Sequence, residues 1–395
     1  SAATTEEWAA ALRRADAGVG VKLYGGDYSS DGGVYLHATV DGHKFNVQVD
    51  TGSSDLAVPS SLCSRCNHTD APWTPGASAQ PVSCHNSELH SCSCTGSGQC
   101  QYTISYLDDS GYTADVFKAE LGIEGTSLST SAGVVGAISS EVAWNDSVME
   151  GIWGVGFAGA SEIGTDSSFA TLLSDSGLDE VFSMCVEGQG GTMVLGGHSG
   201  DEEPEWVPLR NSGGVPRDGF WTINTVSIEI DGHDVGVSSR TLNTGDCIVD
   251  SGTTDILVPN SALEAMFEVF QEGCGAKDLV GVCNTTFPDS IFGGYCYKMT
   301  KEDVDAFPMM SFLVGDSSSP TRLDVHPSDY IEYGDDGDWG CSNIIGGDAE
   351  DGTILGDFLM ESYQVVFDRT DTTSARVGFL PNSVCDDAER RMTTA

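Results

Sequence analysis

The stretch Val47-Gln48-Val49-Asp50-Thr51-Gly52-Ser53-Ser54 recurs, nearly unchanged in kind, as Cys247-Ile248-Val249-Asp250-Ser251-Gly252-Thr253-Thr254. Each copy reads as a strand running into a turn. Apolar residues carry an Asp toward the interior, and the Thr/Ser-Gly-Ser/Thr that follows surrounds its carboxylate with hydroxyl and N–H donors. The tails also match, Asp55-Leu56-Ala57-Val58-Pro59 against Asp255-Ile256-Leu257-Val258-Pro259, so the correspondence spans about a dozen positions. A single Asp-Thr-Gly is an ordinary turn signature, but two of them 200 residues apart in matching contexts point to a duplicated module that places two carboxylates.

On these residues the chain resembles the pepsin-like aspartic proteases, over most of residues 34 to 385. The resemblance implies an all-β, bilobal fold with two homologous β-rich lobes, a central cleft and a β-hairpin flap. It implies aspartic-type endopeptidase activity, with Asp50 and Asp250 as the catalytic pair. Ser53 and Thr253 match hydroxyls that bond the outer carboxylate oxygens, and Thr51 and Ser251 match the pair that ties the two loops together. Gly52 and Gly252, with Thr254, match positions where an extended substrate backbone approaches, and a glycine leaves room there. Downstream, Ile152-Trp153-Gly154 and Ile354-Leu355-Gly356 match the strand that passes beneath each catalytic loop, and Gly154 and Gly356 lie 104 and 106 residues after their aspartates.

Composition sets the class and the compartment. The chain has 395 residues, 49 of them glycine, and its short β-branched runs favour a β-rich architecture with many turns. Thirteen cysteines exceed what a reducing cytosol usually holds in a chain of this size. Asn67-His68-Thr69, Asn145-Asp146-Ser147 and Asn284-Thr285-Thr286 fit the glycosylation acceptor pattern, so a secreted or endomembrane-lumen protein is expected. There is no apolar run of about 18 residues and no signal-peptide pattern at the start, which reads as a processed soluble product or ectodomain. The net charge of −43, from 60 acidic against 17 basic residues, opposes nucleic acid or an anionic membrane as partner. Acid or salt adaptation are the specific causes of such a surface, and a solvated acidic exterior is the plain one.

Along the chain, residues 1–17 read as a helix opened by a Thr4-x-x-Glu7 capping box, either an ordinary surface extension or, as the resemblance implies through Arg13, Arg14 and Lys22, a remnant of the basic inhibitory segment of pepsin-like precursors. An N-terminal lobe over 18–205 and a C-terminal lobe over 206–395 follow, divided where Gly, Asp, Glu and Pro cluster. In the first, Val34 to Val40 turns at Asp41-Gly42 and returns through Phe45, Val47 and Val49. In the second, Val226, Ile228 and Ile230 alternate into Asp231-Gly232. Ser261-x-x-Glu264 predicts a capping box on a helix that buries Leu263, Met266, Phe267 and Phe270.

Six cysteines, Cys63, Cys66, Cys84, Cys92, Cys94 and Cys100, lie in a Ser/Gly/His-rich segment similar to the insertion of the nepenthesin-type plant enzymes, and are expected to pair among themselves in an open order. Zinc held by Cys63, Cys66 and nearby His68, His85 or His90 is the rejected alternative, on irregular spacing and a secreted context. The resemblance implies the bridges Cys185 to Cys385 and Cys296 to Cys341. Cys274 and Cys283 then form a local pair, which leaves Cys247 as a buried free thiol.

The expected flap is Ser105-Tyr106-Leu107-Asp108-Asp109-Ser110-Gly111, with Tyr106, Leu107 and Asp108 facing substrate. Ala57 departs from the Trp that hydrogen-bonds the flap Tyr in many members and resembles beta-secretase there, so a loosely held Tyr106 is expected. Gln48 departs from the aliphatic residue usual two positions before the catalytic Asp. The expected partners are an extended polypeptide and statine-type inhibitors such as pepstatin, with no cofactor or metal and a monomeric chain. The competing readings are a pepsin-like binding protein without activity, opposed by intact Asp triplets and Tyr106, and a two-carboxylate glycosidase, which does not call for duplicated triplets.

Overall fold

The computed structural model describes residues 18–26, 32–63, 66, 71–86, 89, 91–106, 109–142, 148–188, 190–210, 219–334, 339–347, 352–383 and 385. The segment 1–17, with its expected helix, and the glycosylation candidates Asn67 and Asn145 lie outside them.

Strand Gly33–Val40 turns at Asp41 and Gly42, both at positive φ, and returns antiparallel as His43–Asp50, with Tyr35 opposite Gln48 and Val40 opposite His43. An Asp-Gly pair suits a two-residue hairpin turn because both residues tolerate φ > 0. Alternation then buries Val34, Leu36, Ala38, Val40, Phe45, Val47 and Val49 on one face, which drives Asp50 inward at the strand's end. Gly151–Gly154 lies parallel to His43–Asp50, with Gly154 beside Asp50, and antiparallel to Leu56–Pro59, which resumes after the Asp50 turn. The second half repeats the arrangement. Cys247–Val249 runs parallel to Thr353–Leu355, which is antiparallel to Ile256–Pro259.

Two findings were not expected from sequence. Val19–Gly26, upstream of the duplicated modules, pairs with Gly190–Leu195, which pairs with Val181–Glu187, which in turn pairs with Tyr363–Asp368. Strands from near both ends of the chain thus share one 15-stranded sheet, under which Phe157, Phe182, Trp221 and Phe367 pack ring against ring. The second finding corrects the capping box at Ser261. The helix Asn260–Glu272 starts directly off the strand at Pro259, whose φ of −54° leads into it, so Ser261 lies inside the first turn with its side chain exposed and caps nothing. Its apolar face is as expected, with Leu263, Met266, Phe267 and Phe270 buried.

The structure bonds Cys185 to Cys385, Cys296 to Cys341 and Cys274 to Cys283, and leaves Cys247 buried and unbonded beside the Thr225 hydroxyl. Full pairing of the six clustered cysteines is not what it shows. Cys63 bonds Cys66 and Cys84 bonds Cys94, while Cys92 and Cys100 are free, with Cys100 buried among Tyr102 and Val82 and its thiol against that of Cys92. The Cys63, Cys66, Cys84 and Cys94 sulfurs are therefore spent on each other, including those next to His85; His68 and His90 lie outside the described residues. Among the described residues no helix is long and apolar enough to cross a membrane.

Candidate active site

The two Asp-Thr/Ser-Gly turns meet face to face, and their hydrogen bonds are related by near-symmetry. Asp50 accepts from the Gly52 N–H at 2.8 Å and from the Ser53 hydroxyl, and Asp250 accepts from the Gly252 N–H at 2.9 Å and the Thr253 hydroxyl at 2.7 Å. Between the loops, Thr51 Oγ1 donates to the Val249 carbonyl at 2.9 Å while accepting from the Ser251 N–H at 2.9 Å. Reciprocally, Ser251 Oγ donates to Val49 at 2.7 Å and accepts from the Thr51 N–H at 3.2 Å. Both hydroxyls are fully buried, so each is locked as donor and acceptor at once and fixes one loop on the other.

This packing brings the carboxylates within hydrogen-bond reach of each other at 4% and 7% exposure. A Cβ at position 52 would lie 2.6 Å from Asp250 Oδ1, and one at 252 would lie 2.3 Å from Asp50 Oδ1. Each glycine therefore lets the opposite carboxylate approach, a tighter constraint than the substrate room read from sequence. Beneath the loops, Gly154 and Gly356 donate to Asp55 and sit under Thr253 respectively, where a Cβ would meet backbone at 2.3 Å. Asp50 has its pKa raised well above the usual carboxylate range, first by burial and second by the charge of Asp250, against the lowering effect of Ser53 and Gly52.

The hairpin Cys100–Ser105 with Gly111–Ile123 stands beside the pair. Tyr106 closes its end, its N–H donating to Ser110 at 2.9 Å, and Asp109 takes φ +63°, a conformation that Asp tolerates. Leu107 and Asp108 lie outside the described residues. Tyr106 is half-buried and close enough to Asp50 to feel its charge. Thr254 turns its hydroxyl to the Gly32 carbonyl, Gln48 reaches the Gly252 carbonyl at 3.4 Å, and Asn284 is exposed.

This arrangement of two facing triplets coincides with what comparison with known proteins returns. The family model described as eukaryotic aspartyl protease matches residues 39–380. The chain belongs to the eukaryotic aspartyl proteases. This aspartyl protease is 24% identical over 344 residues to an aspartic protease of Phaffia rhodozyma, covering 86% of this chain and 74% of the relative. It is 25% identical over 356 residues to rhizopuspepsin-1 of Rhizopus niveus (87% and 78% covered), and 24% identical over 351 residues to aspartic proteinase 39 of Arabidopsis thaliana (82% and 69%). The protein is an aspartic-type endopeptidase of the pepsin-like fold.

Sequence reading missed two groups around the protease's paired aspartates. Asp55 is 7% exposed, accepting from the Ser161 hydroxyl at 2.8 Å and the Glu162 N–H at 2.7 Å, and burial pushes its pKa up to about 6. Tyr102 and Tyr112 form a buried phenol pair whose hydroxyls are 3.4 Å apart. Asp55 lay in the duplicated tail, and only its match to Asp255 hinted at a role. The tyrosines carried no signal beyond alternation on the hairpin.

Proposed function

We propose that this aspartyl protease is a secreted endopeptidase that works in acid, hydrolysing extended polypeptides with a water held between Asp50 and Asp250. The observation that carries the reading is the contact between two buried carboxylates, each held by a backbone N–H and a hydroxyl. Two carboxylates at this separation do not both ionise cheaply, so they share one proton. The ionised member removes a proton from the water as it attacks the scissile carbonyl, and the protonated member donates to the carbonyl oxygen as charge develops there. Collapse of that adduct breaks the C–N bond and passes a proton to the leaving amine. Ser53 and Thr253 orient the outer oxygens, Thr51 and Ser251 keep the loops in register, and Tyr106 with Leu107 and Asp108 bounds the substrate beside Gly52, Gly252 and Thr254.

The same reading takes the chain as a monomer that binds statine-type inhibitors, with lobes over 18–205 and 206–395, and with Asn67, Asn145 and Asn284 as glycan sites. Supporting the acid setting, the net charge of −43 makes surface carboxylates repel one another at neutral pH, a strain that protonation relieves. The test is cleavage of denatured globin across pH 2 to 8, with and without pepstatin. A bell-shaped acid profile is expected, abolished by Asp50→Asn and by Asp250→Asn in folded protein. An optimum above neutrality, or full activity in either variant, overturns the proposal.

A further inference from the structure

Successive N–H groups hold the Asp50 turn from below. Gly154 donates to the Asp55 carbonyl at 2.9 Å, Val155 to that of Asp50 at 2.8 Å and Gly156 to that of Ser53 at 2.8 Å, while the Ser54 hydroxyl returns a bond to the Phe157 carbonyl at 2.6 Å. Gly156 fits so tightly that a Cβ on it would lie 2.8 Å from Ser54 Oγ and 2.9 Å from the Ser53 carbonyl oxygen. Ser53 is the residue whose hydroxyl bonds Asp50, so the lie of this segment decides where that hydroxyl points.

The far side of Gly156 is held from near the other end of the chain. The pairing of Val181 with Asp368 runs one residue further, the Arg369 N–H donating to the Glu180 carbonyl at 3.0 Å, and this brings the Arg369 side chain against the segment below the turn. Its guanidinium donates to the Gly156 carbonyl at 2.8 Å, to the Asp166 oxygens at 2.7 and 2.6 Å and to Glu180 at 3.1 Å, and it packs over the Phe157 ring. Two carboxylates thus balance a charge whose side chain is 4% exposed, and Nη1 is left for the carbonyl. An unbroken path of hydrogen bonds runs from Arg369 through Gly156 and Ser53 to Asp50.

The second half is braced differently. Past Thr353–Leu355 the chain enters the helix Asp357–Met360, where the N–H groups of Leu359 and Met360 take the Gly356 carbonyl, so its own backbone does the bracing. We propose that Arg369 is a positioning residue for Asp50, setting the Ser53 hydroxyl on its carboxylate through Gly156. The proposal rests on the reading above that Asp50 and Asp250 carry out the chemistry. A carbonyl gripped by a buried, charged donor cannot slide, and a hydroxyl bond to a carboxylate weakens steeply with misalignment. Losing the grip therefore costs ionised Asp50 its hydroxyl partner, which makes its proton harder to remove and leaves substrate binding alone.

The test is the pH profile of kcat and kcat/KM for Arg369→Met, Ser53→Ala and the double variant, in protein that circular dichroism shows folded, alongside urea midpoints. Arg369→Met is expected to lower kcat about tenfold with KM changed less, the scale of one hydrogen bond. It should also move the acid limb, which belongs to the pair, up by about half a pH unit. Ser53→Ala should move the limb the same way, and Arg369→Met added to it should move the limb no further, because no hydroxyl is left to place. A merely structural arginine would lower the urea midpoint and leave the limb in place, and Asp166→Asn, which weakens the ion pair and spares the Gly156 bond, is expected to do only that. An unmoved limb in Arg369→Met, an equal shift in Asp166→Asn, or equal shifts in both Ser53 backgrounds overturns the positioning role alone. An unmoved limb in Ser53→Ala overturns it together with the role given to Ser53, and a folded, fully active Asp50→Asn overturns the reading beneath both. If Arg369→Met does not fold, Arg369→Lys replaces it, since lysine keeps a charge for Asp166 and Glu180 but its single nitrogen does not span all the acceptors. The same limb shift is then expected, and an unmoved limb refutes the proposal.

Discussion

Asp55→Asn is the perturbation with the most direct energetic consequence away from the paired aspartates. The Asp55 carboxyl has its pKa raised from 3.8 to about 6, chiefly by burial, while the Glu162 N–H and the Ser161 hydroxyl lower it. A carboxyl raised on folding binds more protons in the folded than in the unfolded chain over that interval, so stability falls as pH climbs from about 4 through about 6 and levels off above. A tenfold change in proton affinity is worth about 1.4 kcal/mol, so the ionised Asp55 costs the fold about 3 kcal/mol at neutral pH. An amide fills the same space without a charge to bury. Its oxygen keeps the 2.7 Å bond from Glu162, but its NH2 faces the Ser161 hydroxyl, which must turn to accept, at a cost of about 1 kcal/mol. The variant is thus expected to be slightly less stable at pH 4 and about 2 kcal/mol more stable at pH 7. Urea unfolding of both proteins, each in an Asp250→Asn background that prevents self-cleavage, reads this as crossing midpoint curves. With a slope of roughly 3 kcal/mol per M, the variant should escape about 1 M of the parent's loss between pH 4 and 7. Parallel curves would refute the buried-charge account.

Three further outcomes follow from the geometry. Gly252→Ala puts a methyl 2.3 Å from Asp50 Oδ1, so turnover should fall more than about a hundredfold while circular dichroism stays native; wild-type kcat would show that the carboxylates do not need this approach. Arg369, with its side chain 4% exposed, binds Asp166 at 2.6 Å, Glu180 at 3.1 Å and the Gly156 carbonyl at 2.8 Å, and lies 4.7 Å from the centre of the Phe157 ring. Arg369→Met should cost about 3 kcal/mol in urea unfolding, and a loss under about 1 kcal/mol would contradict its role as a clamp. Alkylation of the denatured, unreduced protein should label Cys247 in every preparation, and Cys92 and Cys100 in protein kept reducing; protection of Cys247 would contradict its assignment as unbonded.

What was legible in the sequence is what local chemistry decides. Asp41-Gly42 and Asp231-Gly232 specify their turns because the residue types alone permit φ > 0, and the triplets specify their hydrogen bonds because donor and carboxylate are two or three residues apart. The illegible part depends on contacts between distant segments. Nothing in Val19–Gly26 announces Gly190–Leu195 as its partner, and nothing in Ser261 reveals that the helix has already begun at Asn260. Gly52 and Gly252 show the boundary between the two cases. Sequence tells that a side chain is excluded there, but the excluding group is a carboxylate from 200 residues away.

A near-symmetric pair must still behave unequally, since on the proposed mechanism one carboxylate gives a proton while the other takes one. The hydrogen bonds do not supply the difference, because each Asp has one N–H and one hydroxyl. The surroundings differ. Each half carries a second Asp five residues on, and both are raised to about 6, but Asp55 lies buried under Ser161 and Glu162 whereas Asp255 is half-buried, with Glu332 as its charged neighbour. The phenols of Tyr102, Tyr106 and Tyr112 all feel the charge of Asp55, and two of them also feel that of Asp50. Asp50, on the hairpin side of the cleft, has its pKa raised by burial and then by the charge of Asp250, so a second negative charge there is disfavoured. Duplication supplied two equal turns, and the phenols of the hairpin stand on the Asp50 side, so the two carboxylates meet different surroundings.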